Sequence, residues 1–243
     1  MKSFISKSLE NQILKTFKYI LKIYKPKVAS VQGFKKYCLD KFRHSENLDS
    51  QELVKKLNRN FLSKNFSASN FKDLDIFWWF NIPITLVPSK VAKLSFQDKL
   101  GGLYYQNGIL LVTGNKSLEE IMIHESIHCF LDYLFSEEED FNYFDSHPLI
   151  QIYLSLRHET IAYSLANWWD IKSFNDEELF LYLTTYKKSE IDNLLSTQSK
   201  IFLTQYIEYL KKQILSNNFK NRKSLINNCL RSPDMCQWIE QET

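Results

Sequence analysis

A chain of 243 residues, 44% hydrophobic and 15% aromatic with a formal net charge of +3, can bury a substantial core, which excludes an intrinsically disordered protein. No run reaches membrane-spanning length and the first residues lack the continuous apolar stretch of a signal peptide. The four cysteines (Cys38, Cys129, Cys229, Cys236) show no C-x-x-C spacing. A transmembrane protein, a disulfide-stapled module and a zinc finger are therefore set aside, and a soluble cytoplasmic protein with reduced core thiols is expected.

The small net charge hides an asymmetry. Residues 1–72 carry 16 Lys/Arg against 5 Asp/Glu, whereas residues 116–180 carry 3 against 14. A basic end of this kind could meet nucleic acid, an acidic protein or a membrane surface, or it could be solvated or packed on the acidic middle of the same chain. The latter is expected, so nucleic acid is not an expected partner.

In chain order, Ile5, Leu9, Ile13, Phe17, Ile20 and Tyr24 recur at helical spacing over residues 4–25, and Pro26 ends that helix. Its apolar stripe could lie on a membrane surface; packing on its own domain is the commoner use. Further helices are expected near 31–43 and 50–62, giving a basic, helical N-terminal part over residues 1–70. The texture changes after residue 71. Ile76-Phe77-Trp78-Trp79-Phe80 and Ile82-Pro83-Ile84-Thr85-Leu86-Val87 are aromatic and β-branched runs, the second a strand, with Trp78 and Trp79 expected in the core. Gly102-Leu103-Tyr104-Tyr105 and Ile109-Leu110-Leu111-Val112 flank Gln106-Asn107-Gly108, a hairpin signal.

This small sheet leads into His124-Glu125-Ser126-Ile127-His128. Ser117 and Glu120 fit a capping box, and no Gly or Pro interrupts residues 118–135. On a helix, side chains four apart share a face, so both imidazoles can reach one metal ion. Glu125 is about a quarter-turn away, where its carboxylate can hold a water that zinc makes acidic enough to attack at neutral pH. This H-E-x-x-H pattern is that of zinc-dependent peptidases.

The acidic run Glu137-Glu138-Glu139-Asp140 reads as a loop. Ser146-His147-Pro148 reads as the entry to a helix from Leu149 to about Trp169, and residues 174–240 as about three more helices, with Asp176-Glu177-Glu178 suited to a helix N-terminus. A catalytic zinc takes three protein ligands, and Asp145, His147, His158 and Glu159 are the downstream candidates. Ile152, Ser155, Glu159, Ala162 and Ala166 share one face, and its small residues permit close helix packing, which favours Glu159. His158 points roughly 100° away, and His147 remains the competitor.

Gly101-Gly102-Leu103-Tyr104-Tyr105, Ile109 to Val112, the helix over Leu118 to Phe130, and Glu159-Thr160-Ile161-Ala162-Tyr163-Ser164-Leu165-Ala166 together resemble the ImmA/IrrE group of metallopeptidases over about residues 80–170. The likeness departs at Ser126-Ile127, where a small, Gly-containing pair is usual, at Tyr163, where Asn or Asp is common, and in lacking a Leu-Met-Pro-like segment after the second helix. The resemblance implies a gluzincin that cleaves one specific protein, often a regulator.

The expectation is an α+β zincin-like metallopeptidase: a small, mainly antiparallel sheet with an active-site helix and a third-ligand helix, and further helices at both ends. Residues 71–172 form the core, and 173–243 a helical C-terminal part packed on it. Zn2+ is expected on His124, His128 and Glu159, with Glu125 as general base and a protein or peptide as substrate. Tyr163, one turn beyond Glu159, could donate to the developing oxyanion or could simply pack between helices. Three alternatives stay open: a SprT-like protease of DNA-bound proteins using His147, a toxin or effector protease, and a non-catalytic zincin-fold binding protein.

Overall fold

Helix α1 (Lys7–Tyr24) forms because its apolar residues fall on one stripe and its start is capped: the Leu9 N–H donates to Ser6 Oγ at 3.1 Å. Lys25, at φ 52°, and then Pro26 end it. The computed structural model describes residues 5–57, 62–96, 100–114, 118–138, 148–166, 191, 193–215 and 219–231. It is α+β: among the described residues there are eight α-helices and a four-stranded sheet. The chain divides into two compact units, residues 1–21 with 27–137 and residues 22–26 with 138–243.

The first unit holds the sheet. Strands β1 (Ile76–Trp79), β2 (Ile82–Pro88), β3 (Gly102–Tyr105) and β4 (Gly108–Thr113) lie in the order β1-β2-β4-β3. Two of the three pairings, β1 with β2 and β3 with β4, are antiparallel; the central β2–β4 pairing is parallel. The sheet is thus mixed: mainly antiparallel, with one parallel pair at its centre. A parallel neighbour needs a crossover, and residues 89–107 supply it with the short helix α4 (Ser89–Ser95) and strand β3.

The two hairpins use their turn residues unequally. Between β1 and β2, Phe80 and Asn81 both have positive φ (47° and 64°), the conformation of a two-residue type I′ turn, although Phe80 carries a side chain that disfavours it. At the Asn-Gly hairpin the positive φ falls on Gly108 alone, at 148°. A Cβ there would stand 2.3 Å from the Pro83 carbonyl oxygen on β2, so glycine also permits the parallel pairing.

Alternation sorts the strand residues between the two faces. Leu110, Val112, Val87 and Tyr105 join a buried cluster with Val54, Leu57, Phe71, Ala92 and Phe96, which come from α3 (Ser50–Val54), α4 and neighbouring turns. Ile109 and Leu111 point the other way, to the face where Gly102 meets helix α5 (Leu118–Glu138). Against another side of α5 lie α1 and α2 (Val31–Lys41): Phe17 stacks on Phe130 with centroids 4.2 Å apart, and Phe34 meets both edge-on. Tyr133 accepts from the Ser30 N–H at 2.9 Å, at the start of α2. The stripe of α1 is therefore core, and α1 as far as Leu21 belongs with the sheet. Trp79 is core as well, against Phe17 and Phe34, while Trp78 is only partly buried.

The second unit contains α6 (Pro148–Ala166), α7 (Thr197–Leu215) and α8 (Phe219–Arg231). Tyr153 packs on Phe202 and Tyr206, and the buried Arg157 donates from Nε to the Cys229 carbonyl. Leu156, Leu203, Leu210, Leu225 and Ile226 complete its apolar interior. Pro148 is the first residue of α6, as its missing N–H allows. Helix α5 takes in Glu137 and Glu138, which the sequence reading placed in a loop. Ser117, Glu139, Asp140, Asp145, Ser146, His147, Trp169, Asp176, Glu177, Glu178 and Cys236 lie outside the described residues. Cys38, Cys129 and Cys229 are free, buried thiols, and no described helix is long and apolar enough to cross a membrane.

Candidate metal centre

Helix α5 carries three different surfaces because successive residues advance by roughly 100°. Phe130 and Tyr133 point toward α1 and α2. Ile121, Glu125 and Asp132 form a stripe along β3. His124 and His128 flank that stripe. His124 is 3% exposed, and its Nε2 lies 3.0 Å from that of His128, with the rings 71° apart. Two imidazole ligands at about 2.0–2.1 Å from one tetrahedral ion have nitrogens roughly 3.3 Å apart. The pair therefore needs to open by only a few tenths of an ångström to take an ion.

His124, His128 and Glu159 form a group that could hold a metal ion: one ligand atom of each lies within 4.8 Å of the others. Two imidazole nitrogens and one carboxylate oxygen make a donor set that suits zinc and leaves a coordination position open. His158 stands on the same helix as Glu159 but is not in this group, and the competitor His147 lies outside the described residues. Tyr163 is on α6, four residues after Glu159, and partly exposed.

Glu125, 6% exposed, is oriented by strand β3. Its Oε2 accepts from the Tyr104 N–H at 2.7 Å. This approach depends on Gly102: a Cβ there would lie 2.4 Å from Ile121 Cγ2 and 3.0 Å from Glu125 Oε1. The glycine of the Gly-Leu-Tyr run is thus a steric requirement of strand-on-helix packing. Ser126, inside the motif, is fully buried, and its hydroxyl donates to the Met122 carbonyl at 2.6 Å. A serine is accommodated in the motif because the helix itself satisfies its hydroxyl.

Beside the histidines stand three residues that the sequence reading did not single out as functional: Tyr104, Asp132 and Lys41. Tyr104 lay in the quoted strand motif, and Asp132 follows His128 by one turn on a largely apolar helix, which was the available signal. Lys41, on α2, carried none. Burial pushes the Tyr104 hydroxyl well above the usual phenol range, with the neighbouring Cys129 and Asp132 acting in the same direction, so it is a neutral donor at physiological pH.

Comparisons with protein-family models, with curated proteins and with solved structures return no match.

Proposed function

We propose that this protein is a zinc-dependent metallopeptidase of the gluzincin type, related to the ImmA/IrrE group, that cuts a specific protein substrate. The observation that carries the reading is the grouping of His124, His128 and Glu159, with the buried carboxylate of Glu125 next to His124 on the same helix. A purely structural site has no use for that extra carboxylate. A zinc ion on the three ligands would supply a Lewis acid for the scissile carbonyl and lower the pKa of water to about 7.

Glu125 then does the proton work. It accepts the proton of the attacking water as oxygen adds to the carbonyl carbon, and returns it to the amide nitrogen as the C–N bond breaks. The carboxylic acid left on one side passes its remaining proton to the amine, so the products are a carboxylate and an ammonium. Tyr163 is proposed as a donor to the carbonyl oxygen, since it stands one helical turn from Glu159. The SprT-like alternative draws no support from the described residues, because Glu159 is in the group.

The test compares wild type with Glu125→Gln. Both should hold about one zinc per chain, while the variant should cleave at least about 10²-fold more slowly, since an amide cannot take up the proton. New protein N-termini in a cell extract, labelled after incubation with each form, identify the substrate. Equal sets of new termini from the two zinc-loaded forms would refute the peptidase reading.

A further inference from the structure

A polar cluster beside the metal-ligand group joins three elements of the first unit. Lys41 Nζ, on α2, donates to Asp132 Oδ2 of α5 at 2.8 Å, to the Tyr104 hydroxyl of β3 at 2.5 Å and to the Tyr37 hydroxyl at 3.0 Å. The Tyr104 hydroxyl donates to the same Asp132 oxygen at 2.7 Å. An ammonium has three protons, and three acceptors take them. Burial pushes Tyr37 up to about 12. Burial alone would lower Lys41, but Asp132 and Tyr37 outweigh it and hold the ammonium above its ordinary value. The cluster is therefore one ion pair with two neutral phenols over the whole physiological range.

The main chain of Tyr104 faces elsewhere. The Val112 N–H donates to the Gly101 carbonyl at 2.9 Å, and the register pairs Leu103 with Leu110, Tyr104 with Ile109 and Tyr105 with Gly108. Hydrogen-bonded and non-hydrogen-bonded pairs alternate along an antiparallel ladder. Tyr104 is then at a non-hydrogen-bonded position, with its N–H pointing off the free edge of the sheet. That edge donor ends on Glu125 Oε2. Tyr104 is thus gripped twice, by its hydroxyl on Asp132 and Lys41 and by its amide on Glu125.

We infer that Tyr104 is a positioning residue: the Lys41–Asp132 pair fixes its side chain, and its amide holds the Glu125 carboxylate beside His124 and His128. The contact stands on the geometry alone, and its importance for hydrolysis rests on the peptidase reading above. Removing the clamp leaves the ladder to β4 intact and frees the edge amide, so the carboxylate loses its fixed orientation.

Amide hydrogen exchange followed by NMR on the full chain tests this, with Leu103 and Tyr105, which pair with β4, as internal references. The Tyr104 amide should exchange about tenfold or more slower in wild type than in Glu125→Ala. Lys41→Met and Tyr104→Phe should speed exchange at position 104 alone by about threefold or more, and Lys41→Arg should restore it. On the substrate found with Glu125→Gln, Lys41→Met and Tyr104→Phe should lower kcat about tenfold with KM and zinc content unchanged. A fast-exchanging Tyr104 amide in wild type, or equal acceleration at residues 103, 104 and 105, would overturn the clamp. A slow, Glu125-dependent amide in a zinc-loaded protein that hydrolyses nothing would instead refute the peptidase reading and leave the clamp standing.

Discussion

Gly102→Ala should destabilise the protein, and the structure sets the size. The new methyl would stand 2.4 Å from Ile121 Cγ2, 3.1 Å from Glu125 Cγ and 3.0 Å from Glu125 Oε1. Carbon atoms in contact prefer about 3.5–4.0 Å, so the overlap with Ile121 exceeds 1 Å. Ile121 is fully buried on α5, and a β-branched side chain in a helix has essentially one rotamer. The strand must move instead. A shift of roughly 1 Å away from Glu125 would stretch the 2.7 Å bond between Tyr104 and Glu125 past the limit of about 3.2–3.5 Å at which such a bond fails.

Overpacking of this kind costs about 1–3 kcal/mol, against the roughly 0.4–1 kcal/mol that replacing a glycine returns through the unfolded chain. The clash prevails. A net loss of about 1–2 kcal/mol lowers the melting temperature by about 2–8 °C for a chain of this size. Urea unfolding measures it, and a double-mutant cycle with Ile121→Ala isolates the cause. With Cγ2 removed, Gly102→Ala should become nearly neutral, giving a coupling of about 1–2 kcal/mol. Equal losses in both backgrounds, or no loss in either, would refute the steric account of this strand–helix contact.

Other expectations follow from the same geometry. Glu159→Ala and His124→Ala should each abolish stoichiometric zinc binding while His158→Ala does not, as read by elemental analysis after dialysis. Phe17→Ala should cost about 3–5 kcal/mol in urea unfolding, because a fully buried ring stacked on Phe130 is lost; a loss below 1 kcal/mol would deny α1 its place in the core. Stability should fall at high pH. Unfolded Tyr37 ionises near 10.0 and the folded group, pushed up mainly by burial, near 12. Between those values the unfolded chain binds fewer protons, so stability is full below pH 10.0 and declines as pH rises through 12. Melting temperatures across that window should drop less steeply in Tyr37→Phe, and an identical drop would exclude the group.

The sequence by itself determined the local elements. Apolar residues three and four apart dictate α1 and α5 whatever they pack against, and Pro26 and Pro148 mark a helix end and a helix start because proline lacks an N–H. The two histidines and the glutamate share one side of α5 through helix periodicity alone. Long-range geometry was not legible in this way. Pairing β2 with β4 in parallel depends on a glycine that fits under Pro83, and the same Gly108 also reads as an ordinary hairpin signal. Phe80 occupies a turn position that its residue type opposes, held between Trp79 and the Lys35 ammonium. Lys41 is 91 residues from Asp132 and 63 from Tyr104, so no spacing rule could join them. Only the folded chain, with α2 and β3 laid along α5, brings that ion pair to the strand whose amide holds Glu125, because such contacts depend on packing between elements and not on periodicity within one.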